Sequence, residues 1–345
     1  MRPGLKGKEK LLGFEGLRTF ALFGVLLFHM FPRAVPGGYF GVILFFVISG
    51  FLSGCSAASA KTAEVLPYYA KRARRIYPSL VIMVFITVEA IALADRFRLQ
   101  NAQGEILSVL LGYNNYWQIF ASADYFANLS ANSAFTHLWY IAILIQFELI
   151  WPWLYRFASK GRKNAAIGLL FLVSLFVMPV LSFVPSVSKT LLYYGTFCRI
   201  HALLGGAWLG CRYVSMKRKR KVKPVLSLAA ILLFFAGSVL LFLFAGGGND
   251  WVYHFGMVGY ALFSCFTLMM VLLDQSVSGR LLDHPFCAFF SRYSYEIYLW
   301  QYPVLFLFGL KNLNTKIWHF ALHALVILVM SVWTNYIVSR IFRLK

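Results

Sequence analysis

Residues 225–244 read VLSLAAILLFFAGSVLLFLF, a run of twenty residues without a charged side chain. A helix of about 20 such residues is long enough to cross a hydrocarbon core of about 30 Å. Comparable apolar runs recur along all 345 residues, of which 60% are hydrophobic and only 13% charged. A water-soluble surface cannot be built from this composition, so we predict an all-α, polytopic membrane protein.

Ten apolar runs are predicted to cross the membrane. They are residues 11–31, 39–54, 80–94, 135–155, 165–183, 191–213, 225–244, 252–273, 286–310 and 317–341. A further stretch, residues 106–126, is interrupted by Asn114, Asn115 and Asp124, so we predict a helical excursion on one face of the membrane. We expect residues 1–345 to form a single transmembrane domain, with no extracytoplasmic catalytic domain.

The net charge of +21 lies mostly beside the predicted spans. With the amino terminus inside, an even number of spans puts the main basic clusters on one side: Lys6, Lys8, Lys10 and the runs 71–75, 160–163, 217–223 and 340–345. This is the positive-inside pattern, which predicts cytoplasmic termini and a multi-pass protein of the bacterial cell membrane. It favours membrane lipid over nucleic acid as the partner of these charges.

The cysteines do not indicate a disulfide framework or a metal site. They are scattered in or beside apolar runs, with no C-x-x-C pair: Cys55, Cys198, Cys211, Cys265 and Cys287. We therefore expect each to be a small buried apolar residue, and we expect the protein to bind no metal.

Several ionisable side chains fall inside predicted spans. Each is a candidate functional residue, because burying a charge in lipid costs several kcal/mol unless it faces a cavity or a partner. They are Glu15, Arg18, His29, Glu89, Glu148, Arg199, His201 and Glu296.

Arg18 and His29 lie on one stripe of the first predicted helix. Eleven residues at 100° each bring them to within about 20° of the same face, about 16 Å apart along the axis. Glu15 lies one turn before Arg18 and could pair with it. An alternative is that Arg18 snorkels to the membrane surface and that His29 sits in the interface. The spacing alone leaves both possibilities open.

A basic segment after the second predicted span reads YAKRARRIYP from residue 69 to residue 78. We interpret it as a cytoplasmic loop in front of a proline that opens the next span. If it is helical, Arg72 and Arg75 project from one face, where guanidinium groups can bind phosphate oxygens in pairs. A topology determinant or a contact with anionic lipid would produce the same charges.

Five motifs in chain order resemble those of the acyltransferase family 3 membrane proteins. They are Gly16-Leu17-Arg18 followed after ten residues by His29; Gly41-Val42 with residues 45–52; Arg72 and Arg75 before Ile76-Tyr77-Pro78; residues 115–117 followed by His137-Leu138-Trp139 and Gln146-Phe147; and Ser294-Tyr295, residues 298–300 and Pro303. The resemblance implies transfer of an acyl group, usually acetyl, from cytosolic acyl-CoA to a hydroxyl of a cell-envelope glycan or lipid-linked sugar.

The same resemblance implies roles for single residues. His29 is implied to be catalytic, with Arg18 required beside it, and Arg72 and Arg75 are implied to bind the phosphates of acetyl-CoA. The family's glutamate before Gln-Phe is absent, and Glu148 one turn further along the same face is a candidate replacement.

The acceptor side is implied by the middle motif. The resemblance favours Asn115, Trp117 and Trp139 as residues that bind the sugar, although aromatic side chains there also suit an interfacial belt. Gln301 stands where a histidine is common in the family, which argues against a histidine-based role at that position.

Two functional hypotheses follow. The first is an O-acetyltransferase of peptidoglycan or surface polysaccharide, which could act alone or with a separate extracytoplasmic esterase-like transferase. The second is a transporter or flippase of an acyl or sugar intermediate, although we find no internal repeat of the kind many secondary transporters show.

Overall fold

The computed structural model describes residues 13–59, 65–94, 96–121, 133–158, 162–216, 222–274, 277–308 and 317–342. These residues form α-helices joined by short turns, and no strand occurs among them. The helices are α1 Phe14–Met30, α2 Phe40–Ser59, α3 Val65–Ala94, α4 Arg96–Leu110, α5 Asn114–Phe120, α6 Trp139–Phe157, α7 Lys163–Ser182, α8 Lys189–Tyr194, α9 Thr196–Ser215, α10 Pro224–Phe244, α11 Met257–Leu273, α12 Val277–Leu282, α13 Pro285–Leu307 and α14 Ile317–Phe342. The predicted all-α fold is confirmed.

Seven of the described helices are long and apolar enough to cross a membrane. They are α2, α3, α6 with the preceding 3-10 turn, α7, α10, α11 with the preceding π-helical turn, and α14. The other three predicted spans coincide with α1, α9 and α13. The number ten and the cytoplasmic termini stay predictions, and Lys6, Lys8, Lys10, Asp124 and the basic residues 217–221 lie outside the described residues.

The structure corrects two of the predicted boundaries. The segment interpreted as a loop, residues 69–78, is helical, because α3 begins at Val65 and contains Pro78 in its interior. The predicted span 191–213 is divided at Gly195, where α8 ends and α9 begins. The described part of the predicted excursion, residues 106–121, contains the end of α4 and all of α5, separated by a turn at Gly112 with φ of +75°. Residues 122–126 lie outside the described residues, and the position of the excursion on one face of the membrane stays a prediction.

The chain divides into two compact units. The first, which we call unit A, comprises residues 2–65 and 147–292, and the second, unit B, comprises residues 66–146 and 293–345. In unit A the closest helix pair is α2 with α9. A Cβ added to Gly50 or Gly54 would overlap the carbonyl groups of Leu203 or Ala207, and Gly206 and Gly210 approach α2 equally closely. Small residues spaced four apart are a common way for membrane helices to pack backbone against backbone.

Unit B is held partly by buried polar contacts. The carboxylate of Glu296 on α13 accepts hydrogen bonds from Ser79 of α3 at 3.1 Å and from Asn335 of α14 at 3.2 Å. The indole N–H of Trp300 donates to the hydroxyl of Thr334 at 2.9 Å. These bonds tie α3, α13 and α14 together, since a polar group buried without a partner is costly.

Candidate functional site

The start of α1 is held by hydrogen bonds to two residues that follow α12 in the chain. The backbone N–H groups of Gly13 and Glu15 donate to Oδ1 of Asp283 at 3.0 and 3.4 Å. A carboxylate at this position satisfies donors that the first helical turn leaves open and complements the helix dipole. One turn later, the Thr19 hydroxyl donates to the Cys287 carbonyl at 2.8 Å. The helix that carries both predicted catalytic residues is therefore anchored at its beginning.

Arg18 and His29 lie on one unbroken helix, as the sequence predicted. Helix α1 runs from Phe14 to Met30, so the spacing of about 20° around and about 16 Å along the axis holds for an ideal helix. Both side chains are half-buried. Near His29 the ring of Phe28 packs edge-on against Tyr39 at 5.5 Å. The two residues therefore share one half-buried stripe of α1.

Glu148 lies at the other end of unit A from His29. It is 5% exposed, and the Ser53 hydroxyl contacts its Oε1 at 2.7 Å. Helices α1 and α2 are antiparallel, because Phe28 packs on Tyr39 whereas Phe14 packs on Phe51 at 5.2 Å. Ser53 is fourteen residues beyond Tyr39, or about 21 Å along α2. Glu148 is therefore nearer the level of Arg18 than that of His29.

A buried cation lies near the His29 end of unit A. Arg199 of α9 is 2% exposed, and its Nε donates to the Tyr193 carbonyl at 2.7 Å. Its guanidinium also lies 4.5 Å from the centre of the Tyr193 ring, which in turn packs 5.9 Å from the ring of Tyr39. Cation–π contact and hydrogen bonding offset the cost of burying this charge. The nearby His201 contacts the Cys198 carbonyl through Nδ1 at 2.9 Å.

Arg72 and Arg75 belong to unit B, on the first turns of α3. Both are half-buried, whereas their neighbours Lys71 and Arg74 are exposed. The guanidinium of Arg72 lies 5.1 Å from the centre of the Tyr68 ring, one turn earlier. The two arginines therefore share a helical face that is distinct from the solvent-facing basic residues, as expected if this segment is helical.

The predicted acceptor residues also belong to unit B. Asn115 is buried, and its Oδ1 accepts a hydrogen bond from Gln146 Nε2 at 2.8 Å, while the same Nε2 donates to the Gly112 carbonyl at 2.9 Å. Trp117 is half-buried against Gly104, where a Cβ would overlap the indole ring. Trp139 is only 2% exposed. The Asn115 and Gln146 positions of the middle motif are thus brought together by direct contact.

Sequence reasoning missed a buried carboxyl next to this motif. Glu105 of α4 accepts a hydrogen bond from Gln118 Nε2 at 2.7 Å, across the turn at Gly112. Its backbone carbonyl accepts from Ser108 at 2.6 Å, and Asn114 donates to the Ser108 hydroxyl at 3.1 Å. Burial raises the pKa of the Glu105 carboxyl, although hydrogen bonds from Ser133, Gln118 and Asn114 oppose this shift. We call Glu105, Ser108, Asn114, Asn115, Gln118 and Gln146 the amide cluster.

His137 is a second residue whose setting the sequence did not predict. Its Nε2 lies 3.1 Å from the Leu299 carbonyl, which can only accept, so Nε2 is the donor of this hydrogen bond. The ring stacks on Tyr302 at 5.1 Å, and the Tyr298 hydroxyl donates to the His137 carbonyl. A signal was present in the sequence, because His137, Tyr298 and Tyr302 lie within or beside the fourth and fifth of the five motifs named above.

The remaining candidates fall into two groups. Glu89 is exposed on α3, and Glu296 is buried in the hydrogen-bonded contacts of α13 described above. In the described part of the chain, no group of three or more His, Cys, Asp or Glu side chains is arranged to hold a metal ion. The two half-buried pairs, Arg18 with His29 and Arg72 with Arg75, therefore remain the main candidates for chemistry and for anion binding.

Comparison with known proteins finds relatives over nearly the whole chain. A family model described as an acyltransferase domain matches residues 11–340. The chain is 31% identical to YrhL of Bacillus subtilis (strain 168), named as a candidate peptidoglycan O-acetyltransferase, over 96% of this chain and 54% of that protein. It is 28% identical to O-acetyltransferase OatA of Staphylococcus aureus (strain NCTC 8325 / PS 47), over 86% of this chain and 50% of that protein. The chain thus spans about half the length of these curated relatives. No solved structure matches it.

Proposed function

Because the chain belongs to the acyltransferase family whose model matches residues 11–340, we propose that it is an O-acetyltransferase of the bacterial cell envelope. In this proposal it takes an acetyl group from cytosolic acetyl-CoA and transfers it to a hydroxyl of peptidoglycan, a surface polysaccharide or a lipid-linked sugar. The observation that carries the proposal is the pair Arg18 and His29, half-buried on one anchored helix. The cation of Arg18 can attract an anionic donor such as acetyl-CoA, and the imidazole of His29 can act in the transfer of its acetyl group.

The reaction proposed at His29 can follow one of two courses. A neutral imidazole can take the proton from the attacking sugar hydroxyl as that oxygen bonds to the thioester carbonyl carbon. CoA then leaves as the thiol when the carbon–sulfur bond breaks. Alternatively, the imidazole nitrogen attacks the thioester carbon first, the carbon–sulfur bond breaks, and CoA leaves as the thiol with the proton of the ring. The sugar hydroxyl then takes the acetyl group from the ring nitrogen and returns its proton to the ring. In both courses Arg18 stabilises negative charge on the carbonyl oxygen or orients the donor.

We propose that Arg72 and Arg75 bind the phosphates of acetyl-CoA. Their shared half-buried face on α3 supports this role, because planar guanidinium groups form paired hydrogen bonds with phosphate oxygens. The Tyr68 ring beside Arg72 restricts the side chain and so lowers the entropy lost on binding.

Glu148 is proposed to act at the Arg18 end of the half-buried stripe of α1. Its distance from the level of His29 supports a role in holding the donor or Arg18 rather than in proton transfer from the acceptor. The Ser53 hydroxyl at 2.7 Å fixes the orientation of its carboxylate.

The acceptor is proposed to approach Asn115, Trp117 and Trp139. The contact between Asn115 and Gln146 supports a rigid amide surface beside the Trp117 ring, and aromatic faces with amide groups suit a sugar. We also propose ten membrane spans, which add α1, α9 and α13 to the seven apolar ones, with both termini cytoplasmic. A separate extracytoplasmic esterase-like transferase could complete delivery to the glycan.

The test uses the full chain purified into nanodiscs with radiolabelled acetyl-CoA. His29→Ala is expected to lower the rates of acetyl-CoA hydrolysis, self-acetylation and transfer to a glycan. The expected decrease is about 10²-fold to 10⁴-fold, which is the usual contribution of a positioned general base. His284→Ala, at an exposed histidine of the same unit, is the matched control and should keep full activity. Equal activity in the two variants would rule out the proposed role, and binding of acetyl-CoA without any chemistry in the wild type would favour a carrier.

The donor site is tested separately. We expect the Arg72→Ala, Arg75→Ala double variant to raise the KM for acetyl-CoA by about tenfold to 100-fold at low salt, because charge-assisted hydrogen bonds are lost. The difference from wild type should shrink as salt is added, since screening weakens the wild-type contact. Arg74→Ala, one exposed basic residue in the same helical turn, should leave KM unchanged. A KM in the double variant equal to that of Arg74→Ala would exclude the proposed anchor.

A further inference from the structure

Helix α5, Asn114–Phe120, is too short to hold its conformation alone. It has seven residues, whereas isolated helices shorter than about 12–15 residues are only marginally stable in water. Its orientation must therefore come from contacts with neighbouring segments of unit B. Because Trp117, one of the proposed acceptor residues, lies on this helix, the contacts that hold α5 also set the position of the Trp117 ring.

The carboxyl group of Glu105 on α4 supplies contacts to one face of α5. Its Oε1 accepts a hydrogen bond from Nε2 of Gln118 at 2.7 Å, and the carboxyl group also has hydrogen bonds with Asn114 and Ser133. Asn114 and Gln118 are four residues apart, so they lie on the same side of α5. One carboxyl group thus holds both ends of this face and connects it to the segment in front of α6.

The residue before Glu105 brings α4 against the Trp117 ring. Gly104 has no side chain, and a Cβ at this position would overlap the indole. Trp117 is only half-buried, so this packing leaves part of the residue accessible to an acceptor. Glu105 and Gly104 therefore act on the same short helix, the first through hydrogen bonds and the second through close packing.

We propose that Glu105 is a positioning residue of the acceptor site, which acts through α5 to hold the Trp117 ring against the acceptor glycan. Glu105 is 4% exposed, so its effect on the glycan is indirect. The inference rests on the proposed function, because it takes Trp117 as a residue that binds a sugar.

The first measurement is amide hydrogen exchange of residues 114–120 in the full chain in nanodiscs, without glycan. Glu105→Leu removes the acceptor of Gln118 and should speed exchange in α5 by about tenfold, the effect of losing one hydrogen bond. The contact of α5 with α6 remains, so the helix should loosen without leaving the fold. Glu105→Gln keeps an oxygen for Gln118 and should restore most of the protection. Gln103→Leu, which places leucine at an exposed residue of α4, should exchange like the wild type.

The second measurement is the transfer of acetyl groups to a tetrasaccharide of N-acetylglucosamine. Glu105→Leu should raise the KM for the glycan by about tenfold and leave the KM for acetyl-CoA unchanged, because only the acceptor side is displaced. A purely structural role would lower the fraction of folded enzyme, and with it kcat, without changing either KM. Glu105→Gln should again recover most of the loss, and Gln103→Leu should match the wild type.

Gly104→Ala keeps the inference testable if Glu105→Leu does not fold. The added methyl group displaces the Trp117 ring and removes none of the hydrogen bonds of Glu105. The KM for the glycan should therefore rise severalfold, while the KM for acetyl-CoA stays at the wild-type value.

Three results would overturn the inference, and they are distinguishable from one another. Unchanged exchange of α5 in Glu105→Leu would show that Glu105 does not hold the helix, whether or not the proposed function is correct. An unchanged KM for the glycan in both Glu105→Leu and Gly104→Ala would show that α5 does not serve the acceptor, and the proposed function would stand. If the wild type consumes acetyl-CoA but acetylates neither the tetrasaccharide nor purified peptidoglycan, the glycan acceptor fails and the role of Glu105 fails with it.

Discussion

The contact of α2 with α9 and the amide cluster of α4, α5 and α6 are two buried regions that are stabilised by different interactions. In unit A, Gly50, Gly54, Gly206 and Gly210 let two backbones meet directly, and the thiols of Cys55 and Cys211 donate to backbone carbonyls across the seam. In unit B, hydrogen bonds among carboxyl, amide and hydroxyl groups hold the cluster together. The first arrangement depends on shape and tolerates no added atoms, whereas the second depends on partners and tolerates replacements that keep a hydrogen bond.

The largest loss of stability is expected at the contact of α2 with α9, where the close packing of two backbones leaves no room for a larger side chain. Gly54→Val would drive a side chain into the Ala207 carbonyl, so we expect the free energy of unfolding to fall by about 3 kcal/mol or more, the upper part of the range for overpacking. Gly259→Val is the matched control, because a Cβ at this membrane-helix glycine meets nothing within 4 Å. Thermal unfolding in nanodiscs measures both variants, and similar melting temperatures would contradict the account of the α2 and α9 seam.

A smaller loss is expected at the polar contact of Ser53 with Glu148 in unit A. Ser53→Ala removes a hydroxyl 2.7 Å from a buried carboxylate, which should cost about 1–3 kcal/mol of stability, the range for leaving a buried polar group short of a partner. Ser53→Thr keeps the hydroxyl and should recover most of this loss. If Ser53→Thr unfolds as early as Ser53→Ala, the Glu148 contact does not contribute to stability.

The difference between the two regions also explains what the sequence could predict. The Arg18 and His29 stripe, the glycine-rich α2 and the shared face of Arg72 and Arg75 each lie within one helix, so periodicity and local motifs suffice. The amide cluster does not follow from periodicity, because Glu105 meets Gln118 across the turn at Gly112.

Two further features could not be predicted, the contacts of His137 and the start of α3. The first depends on residues far apart in the chain, and the second lies in a charged segment. His137 meets Tyr298 and Leu299 across separations of 161 and 162 residues, which no single-sequence pattern encodes. The start of α3 was predicted too late, since a criterion of apolarity ends where charges begin, whereas the helix itself continues from Val65 through the basic residues.

The smallest effect is expected in the amide cluster and should depend on pH. Burial raises the pKa of Glu105, so the folded protein favours the neutral carboxyl more than the unfolded chain does. At neutral pH the charged Glu105 is less favourable in the folded protein than in the unfolded chain, which lowers the stability. This loss of stability disappears as the pH falls through the raised pKa of the folded state toward the ordinary pKa of the unfolded chain. Glu105→Gln keeps an oxygen to accept from Gln118 and never carries the charge.

The variant Glu105→Gln should therefore be more stable than the wild type at pH 7, by an amount on the order of 1 kcal/mol, comparable to one hydrogen bond. Unfolding measured from pH 7 down to pH 4 should show this advantage shrinking as the acid protonates Glu105. Gln118→Leu removes the donor 2.7 Å from Oε1, which disfavours the charged form further and should enlarge the pH dependence relative to the wild type. An advantage of Glu105→Gln that instead grew toward low pH would mean that the cluster stabilises a carboxylate, and the contrast with the glycine seam would then be one of charge as well as of packing.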